Sequence, residues 1–365
     1  MNFDFATAAR ILFGAGQRTQ IPAAAQAMGS RSLLITGRVS RLPDLRGVQF
    51  VVEGEPTVEL VANGVATARR EGCDMVIACG GGSAIDAGKA IAGLLTNPGD
   101  ILDYLEVVGR AQPMPNAAAP FIAVPTTAGT GSEVTRNAVL ASPQHRVKAS
   151  LRSPSMLPRL AVVDPELTLD LPPSLTASTG MDALTQLIEP YVSLRANAMT
   201  DMFCLRGIEC CSRSLRRAYT QGLDLNARTD MSLASLLGGL ALANAGLGAV
   251  HGFAAPIGGM FEAPHGAVCA ALLPHVTEAN LRHATGDTLR RYEDVSRLLT
   301  GASNQLVPWL TALTHDLGIP ALRTYGLAEE HVPDVCTKAA AASSMKGNPV
   351  VLPMGELEAI LRAAL

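Results

Sequence analysis

Asp74-Met-Val-Ile-Ala-Cys-Gly-Gly-Gly-Ser-Ala-Ile-Asp86 decides the fold of this chain. The apolar run ending at Cys79 reads as a buried strand, Gly80 to Gly82 as a tight turn, and residues 84–95 as a helix. Glycines at such a turn let backbone N–H groups come close to an anion, and the helix N-terminus favours negative charge. Ser83 can cap the helix or bond a phosphate oxygen. The pattern is neither G-x-G-x-x-G nor a P-loop, and taken alone the glycines also fit ordinary strand-to-helix geometry. A second run, Pro125-Thr-Thr-Ala-Gly-Thr-Gly-Ser132, follows another strand and carries hydroxyls and glycines that suit the same polyphosphate. Loops at the carboxyl ends of parallel strands converge where open α/β sheets bind their ligands. Gly14-Ala-Gly16 reads as an ordinary turn.

Outward from this turn the alternation continues. Residues 32–36, 48–52, 121–124 and 160–163 read as strands, and residues 57–71 carry apolar side chains at helical spacing. This order predicts a parallel sheet with helices on its faces. Residues 109–120, rich in Pro, Ala and Asn, read as a surface loop. Near Leu169-Asp-Leu-Pro-Pro173 the texture changes. Ala/Leu-rich helical stretches follow at 182–193, 198–217, 229–245, 288–299, 304–317, 328–344 and 355–364. The expected architecture is an α/β domain with a parallel sheet over residues 1–173, followed by an all-helical domain over residues 174–365.

The chain has 365 residues, 29 Lys and Arg against 32 Asp and Glu, and a formal net charge of −3. That length predicts two domains and a sizeable core. With 48% hydrophobic and 17% charged residues, wholesale disorder is excluded. The near-neutral balance leaves no footprint for nucleic acid or an anionic membrane surface. The first residues show no signal-peptide pattern, and seven cysteines without a Cys-x-x-Cys do not read as a disulfide framework. A cytoplasmic protein is expected. Residues 232–250 carry no charge, close to the roughly 20 residues of a bilayer span. Asn244 and the glycines at 238, 239, 246 and 248 weaken that reading, and a buried helix ending near Gly246 is expected.

Two of the seven histidines stand out: His251 in Gly248-Ala-Val-His-Gly252 and His265 in Pro264-His-Gly266. Both sit in apolar, Gly-flanked surroundings, where an imidazole is costly unless hydrogen-bonded. Asp182 reads as opening a helix, with Gln186 one turn further on the same face. A carboxylate and two imidazoles form a ligand set for Zn2+ or Fe2+ with an open position. Spacing alone leaves alternatives, since Asp182 can serve a helix N-terminus and each histidine can be a satisfied core residue.

Six motifs, Gly80-Gly-Gly-Ser-Ala-Ile-Asp-Ala-Gly-Lys89, Pro125-Thr-Thr-Ala-Gly-Thr-Gly-Ser-Glu-Val-Thr135, Val163-Asp-Pro165, Gly180-Met-Asp-Ala-Leu184, His251-Gly-Phe-Ala-Ala-Pro-Ile-Gly-Gly259 and Pro264-His-Gly-Ala-Val-Cys-Ala-Ala-Leu-Leu-Pro274, run in order along the chain. Together they closely resemble the iron-dependent (group III) alcohol dehydrogenase family, and Lys346-Gly-Asn-Pro349 also fits. The resemblance implies a dinucleotide-binding α/β domain, a helical metal-binding domain and a nicotinamide site in the cleft between them. It further implies NAD(P), a divalent Fe or Zn, and a homodimer in which an N-terminal strand crosses to a partner. Position by position, it places metal ligands on Asp182, His251 and His265. The pyrophosphate turn falls on Gly81, Gly82 and Ser83, with Asp86 in the same motif, cofactor-lining threonines on Thr126 and Thr127, and a ribose-contacting lysine on Lys148.

Three positions depart from that pattern. Gln186 stands where the family has a ligand histidine. Its amide oxygen is a weaker donor than imidazole, so Fe2+ affinity should fall and Gln186 should bind weakly or through water. The remaining three-ligand set resembles the zinc-dependent glycerol dehydrogenase branch. Ala255 stands where a histidine is often assigned to a proton relay, which leaves the proton to solvent, substrate or a ribose hydroxyl. Gly37 stands where NAD-preferring relatives carry an aspartate, and Arg38 beside it can pair with a 2′-phosphate, so NADP(H) should be accepted. Arg38 equally fits a solvated loop.

The expected activity is metal-dependent, NAD(P)-linked interconversion of a small alcohol and an aldehyde or ketone by direct hydride transfer. A maleylacetate reductase-like reductase of an unsaturated dicarboxylate shares the stretch Arg10-Ile-Leu-Phe-Gly-Ala-Gly16. Members of that group need no metal, so Asp86 and Asp182 count against it. A dehydroquinate-synthase-like lyase shares the implied fold and zinc site, but should carry more Lys and Arg across residues 176–281. A relative that binds nucleotide without turnover would accommodate Gln186 and Ala255.

Overall fold

The computed structural model describes residues 2–42 and 44–365. These form two compact units, one of Ala6–Thr127 with Gly131–Leu169, the other of Asp170–Leu365 with residues 2–5 and Ala128–Thr130.

The first unit is built on the expected parallel sheet. Its strands are β1 (Ile11–Phe13), β2 (Ser32–Thr36), β3 (Val48–Val51), β4 (Met75–Gly80), β5 (Phe121–Pro125) and β8 (Leu160–Val163), in the order β1-β8-β5-β4-β2-β3. Every pairing in it is parallel. Strands β2, β4, β5 and β8 are buried along their whole length, as continuous apolar strands covered on both faces should be. One face, with Leu33, Ile35, Val76, Ala78 and Phe121, packs on α2 (Val58–Arg70) and α3 (Gly82–Leu95). The other, with Leu34, Ile77, Ile122 and Val124, meets Ile21 of α1 (Ile21–Met28).

Other features of this unit escaped the sequence reading. Helix α1 is short, and β1 pairs with β8 of its own chain. An antiparallel hairpin of β6 (Asn137–Ser142) and β7 (Val147–Arg152) lies within the motif-rich segment; its strands alternate buried and half-buried residues without the β-branched run that marks the core strands. The motif aspartate Asp164 has a structural task, accepting hydrogen bonds from the backbone N–H groups of Gly16, Arg18 and Glu166 at 3.2, 3.0 and 3.1 Å. That pins the Gly14-Ala-Gly16 turn to the end of β8. A short helix, α4 (Ile101–Tyr104), precedes the surface loop.

The second unit is helical: α5 (Pro173–Val192), α6 (Ala198–Thr220), α7 (Leu225–Ala245), α8 (Ala249–Met260), α9 (His265–His283), α10 (Gly286–Thr300), α11 (Leu306–Asp316), α12 (Val332–Ala341) and α13 (Met354–Ala363). Helix α5 begins nine residues before the expected 182, with Pro173 in its first turn, where a missing N–H costs nothing. Asp182 therefore lies mid-helix and does not open one. Helices α8 and α9 were not expected; they form although α8 holds Gly252 and Pro256 and α9 holds Pro274, because burial of their apolar residues overrides local preference. Helix α7 ends at Gly246, whose φ of 73° suits glycine. His251 thus belongs not to the uncharged helix before it but to α8, after a bend of 98°. Among the described residues no single helix is long and apolar enough to cross a membrane; α7 and α8 pass only as that bent pair.

Candidate functional site

In the helical unit, three helices bring the expected ligand residues together. Helix α5 contributes Asp182, 2% exposed, and Gln186, 3% exposed. Helix α8 contributes His251 at its third residue, and α9 contributes His265 at its first. His251 Nε2 lies 3.4 Å and His265 Nε2 3.8 Å from Asp182 Oδ1.

Two close approaches set this geometry. A Cβ on Gly266 would stand 2.4 Å from the Ser178 carbonyl oxygen and 3.4 Å from the Asp182 Cβ, so only glycine lets the start of α9 lie against α5. A Cβ on Gly248 would meet Glu189 Oε1 at 2.9 Å and Asn348 Oδ1 at 3.1 Å. Those oxygens instead accept the first N–H groups of α8, from Val250 to Glu189 Oε1 at 2.7 Å and from Ala249 to Asn348 Oδ1 at 3.2 Å. Borrowed caps of this kind satisfy orphan donors of a helix start. Asn348 is in turn held by Asn280, which explains the late Lys346-Gly-Asn-Pro349 motif.

The sequence reading missed two residues here. Glu189 Oε2 accepts from His251 Nδ1 at 2.6 Å, and Cys269 places its Sγ 3.7 Å from His265 Nε2 and 3.9 Å from His251 Nε2. Their signals were local: Glu189 is seven residues after Asp182, and Cys269 four after His265, each on the same helix face. The second signal needed α9 to be recognised as a helix. One donor atom from each of Asp182, His251, His265 and Cys269 lies within 4.8 Å of every other.

The electrostatics favour positive charge at this point. Burial opposes ionisation of Asp182, yet His265, His251 and the Gln186 amide outweigh it and hold the carboxyl below its ordinary range. Burial likewise opposes a charged His251, but Cys269, Glu189 and Asp182 push its pKa well above that of free imidazole. Asp182 Oδ1 and Gln186 Oε1 are buried and accept no hydrogen bond. A buried acceptor without a donor is costly, and a divalent cation between two imidazoles and this carboxylate removes the cost. The residues present fit a metal.

In the α/β unit, Gly81 caps α3 without any side-chain hydrogen bond, so the N–H groups of the first turn remain available to an anion. Ser83 lies inside that first turn and does not cap it. A Cβ on Gly81 would sit 3.4 Å from Thr127 Cγ2, and Thr126 N–H donates to the Gly80 carbonyl at 2.9 Å, so the two loops lie side by side. Gly37 follows β2 on open ground.

Asp86, Lys148 and Arg38 each have protein partners. Asp86 accepts from the Ser132 hydroxyl and from Val139 N–H at 2.9 Å, and Lys89 Nζ is 3.1 Å away. These bonds tie α3 to the second loop and the hairpin. Lys89, fully buried, also donates to the Ser132 carbonyl at 2.9 Å and Thr135 Oγ1 at 2.8 Å. Lys148 pairs with Glu55 at 3.1 Å, and Arg38, exposed, pairs with Glu53 at 2.9 Å.

Residues 8–165 match the model of the iron-containing alcohol dehydrogenases, and residues 176–365 that of the family's C-terminal region. The chain belongs to the iron-containing alcohol dehydrogenase family. It is 39% identical over 323 residues to 1,3-propanediol dehydrogenase of Klebsiella pneumoniae, covering 86% of this chain and 81% of that one. The crystal structure of a 1,3-propanediol oxidoreductase superposes over 100% of both chains with a TM-score of 0.92 and 34% identity. Sulfoacetaldehyde reductase of Bifidobacterium kashiwanohense, solved in complex with NAD+, covers 99% of this chain and 98% of its own at a TM-score of 0.89 and 29% identity. As a member of the iron-containing alcohol dehydrogenases, this chain is a metal-dependent, NAD-linked alcohol oxidoreductase.

Proposed function

We propose that this enzyme interconverts a small alcohol and its aldehyde or ketone, with Asp182, His251 and His265 holding the divalent ion and Gln186 contacting it weakly or through water. The observation that carries this reading is the convergence of two imidazole nitrogens on a buried Asp182 oxygen that has no other partner. A bound ion at this point supplies Lewis-acid polarisation of the substrate oxygen.

The chain's own residues perform the positioning. Backbone N–H groups of Gly81, Gly82 and Ser83 hold the cofactor pyrophosphate at the α3 N-terminus, and the neighbouring Thr126 and Thr127 line it. Asp86 acts one step back, keeping the second loop in place through Ser132. Lys148 contacts the cofactor ribose, and Gly37 and Arg38 border the adenosine end, where Arg38 supports acceptance of NADP(H) as well as NAD(H). Ala255 carries no titratable proton, so the alcohol proton passes to solvent or to a hydroxyl of the cofactor or substrate. The enzyme acts as a homodimer in the cytoplasm; its seven cysteines, all buried and none in a disulfide, suit a reducing compartment.

The test is a metal-stripped preparation assayed with NADH and NADPH on a panel of small aldehydes and ketones. Turnover restored by Zn2+ or Fe2+ supports the assignment. Undiminished turnover without metal removes the ligand role of Asp182, His251 and His265, and no turnover on any carbonyl removes the substrate class.

A further inference from the structure

The family resemblance puts Gln186 where an imidazole ligand is expected, and α9, packed against its helix, presents a thiol. We propose that Cys269 binds the metal as a thiolate, a fourth protein ligand beside Asp182, His251 and His265, while Gln186 reaches the ion only through water. This rests on the metal reading above and adds to it a donor from this chain alone.

The distances carry the argument. Tetrahedral zinc with nitrogen and oxygen at about 2.0–2.2 Å and sulfur at about 2.3 Å separates its donors by about 3.3–3.7 Å. Here the separations are 3.4 Å for His251 to Asp182, 3.8 Å for His265 to Asp182, 3.7 Å for Cys269 to His265 and 3.9 Å for Cys269 to His251.

Hydrogen bonding leaves part of this cluster unsatisfied. His251 Nδ1 faces the Glu189 carboxylate, which can only accept, so the proton lost when the ring takes a metal comes from Nε2 and its lone pair turns inward. One S–H proton can serve only one of the two imidazole nitrogens. Asp182 Oδ1, in a residue 2% exposed, is left without any donor. Lone pairs from two helices and a third converge on one point, which a cation satisfies at once.

Binding breaks the S–H bond of Cys269, releases that proton to solvent and forms a sulfur–metal bond, with no change of oxidation state. A thiolate beside two imidazoles shifts the site's preference toward zinc, because soft donors favour it over iron.

The test loads metal-stripped, full-length enzyme with Co2+. Wild type should show the visible bands of low-coordinate cobalt together with an intense near-ultraviolet thiolate-to-cobalt band. Cys269→Ser should keep the visible bands, lose the near-ultraviolet one and bind Zn2+ more than about tenfold more weakly in chelator competition. Cys204→Ser, a buried cysteine of α6, should behave as wild type. Visible bands without the near-ultraviolet band in wild type overturn the thiolate and leave the three-ligand reading intact. Failure of wild type to take up Co2+ or Zn2+ overturns both. The wild-type spectrum decides even where Cys269→Ser does not fold.

Discussion

Glu189 holds His251 from both sides: its Oε2 accepts from the ring Nδ1 at 2.6 Å and its Oε1 from the neighbouring Val250 N–H at 2.7 Å. One carboxylate thus sets the ring's tautomer and anchors the helix start that carries it. Carboxylate partners of metal-binding histidines typically account for 10- to 100-fold in metal affinity. Glu189→Gln should weaken Zn2+ binding by about that factor while the helix content in circular dichroism stays unchanged. Unaltered affinity would show that the ring is oriented by packing alone.

Asp182→Asn keeps the shape of the side chain and removes the charge facing both imidazoles. A ligand that binds only the folded state adds about 2.7 kcal/mol of stability at 100 times its Kd. Zn2+ at a concentration that saturates wild type should therefore raise its melting temperature and raise that of Asp182→Asn by less. Equal shifts in both proteins would remove Asp182 from the ligand set.

Gly266→Ala tests how α9 reaches α5. The added methyl would stand 2.4 Å from the backbone oxygen of Ser178, a group that cannot move without its helix. The expected result is a loss of about 1–3 kcal/mol in denaturant unfolding, in line with other overpacked cores, and weaker Zn2+ binding because His265 moves with its helix. A variant as stable as wild type would show the approach to be looser.

Glu133 gives the α/β unit a pH signature. Burial pushes its carboxyl from the usual 4.5 up to about 7, with the backbone and Lys89 pulling the other way. Between those values the folded state holds a proton that the unfolded chain has lost, so this group's contribution falls as pH rises through that window. Glu133→Gln is neutral throughout and should flatten that fall, melting higher than wild type at pH 8 and closer to it at pH 5. Parallel melting curves at both values would contradict the assignment.

The proposed acceptance of NADP(H) is tested at the pair of Arg38 and Glu53, 2.9 Å apart at the ends of β2 and β3. Glu53→Gln releases the guanidinium for a 2′-phosphate and should raise the ratio of kcat/KM for NADPH over NADH. Arg38→Ala should lower it. Ratios unmoved by either change would place the adenosine ribose elsewhere.

Much of this enzyme was legible in residue order. Continuous apolar runs, the 3.6-residue period and the glycines at 80–82 are local properties, and they determined the parallel sheet, the α3 turn and most of the helical second half. The ligand candidates Asp182, His251 and His265 were also visible, because polar groups in apolar, glycine-flanked runs have few other uses. Helices α8 and α9 were not, since their prolines and glycines weigh against a helix until tertiary burial outweighs them. For the same reason Glu189 and Cys269 stayed hidden, being neighbours of His251 and His265 only once α5, α8 and α9 pack. Which lone pairs face one another depends on contacts across 62 residues for Glu189 and His251 and 18 for His251 and Cys269. Those contacts exist because Gly248 and Gly266 admit backbone where a side chain would stand. Local pattern determined what the elements are, and only the packing of three helices decided which donors share one point.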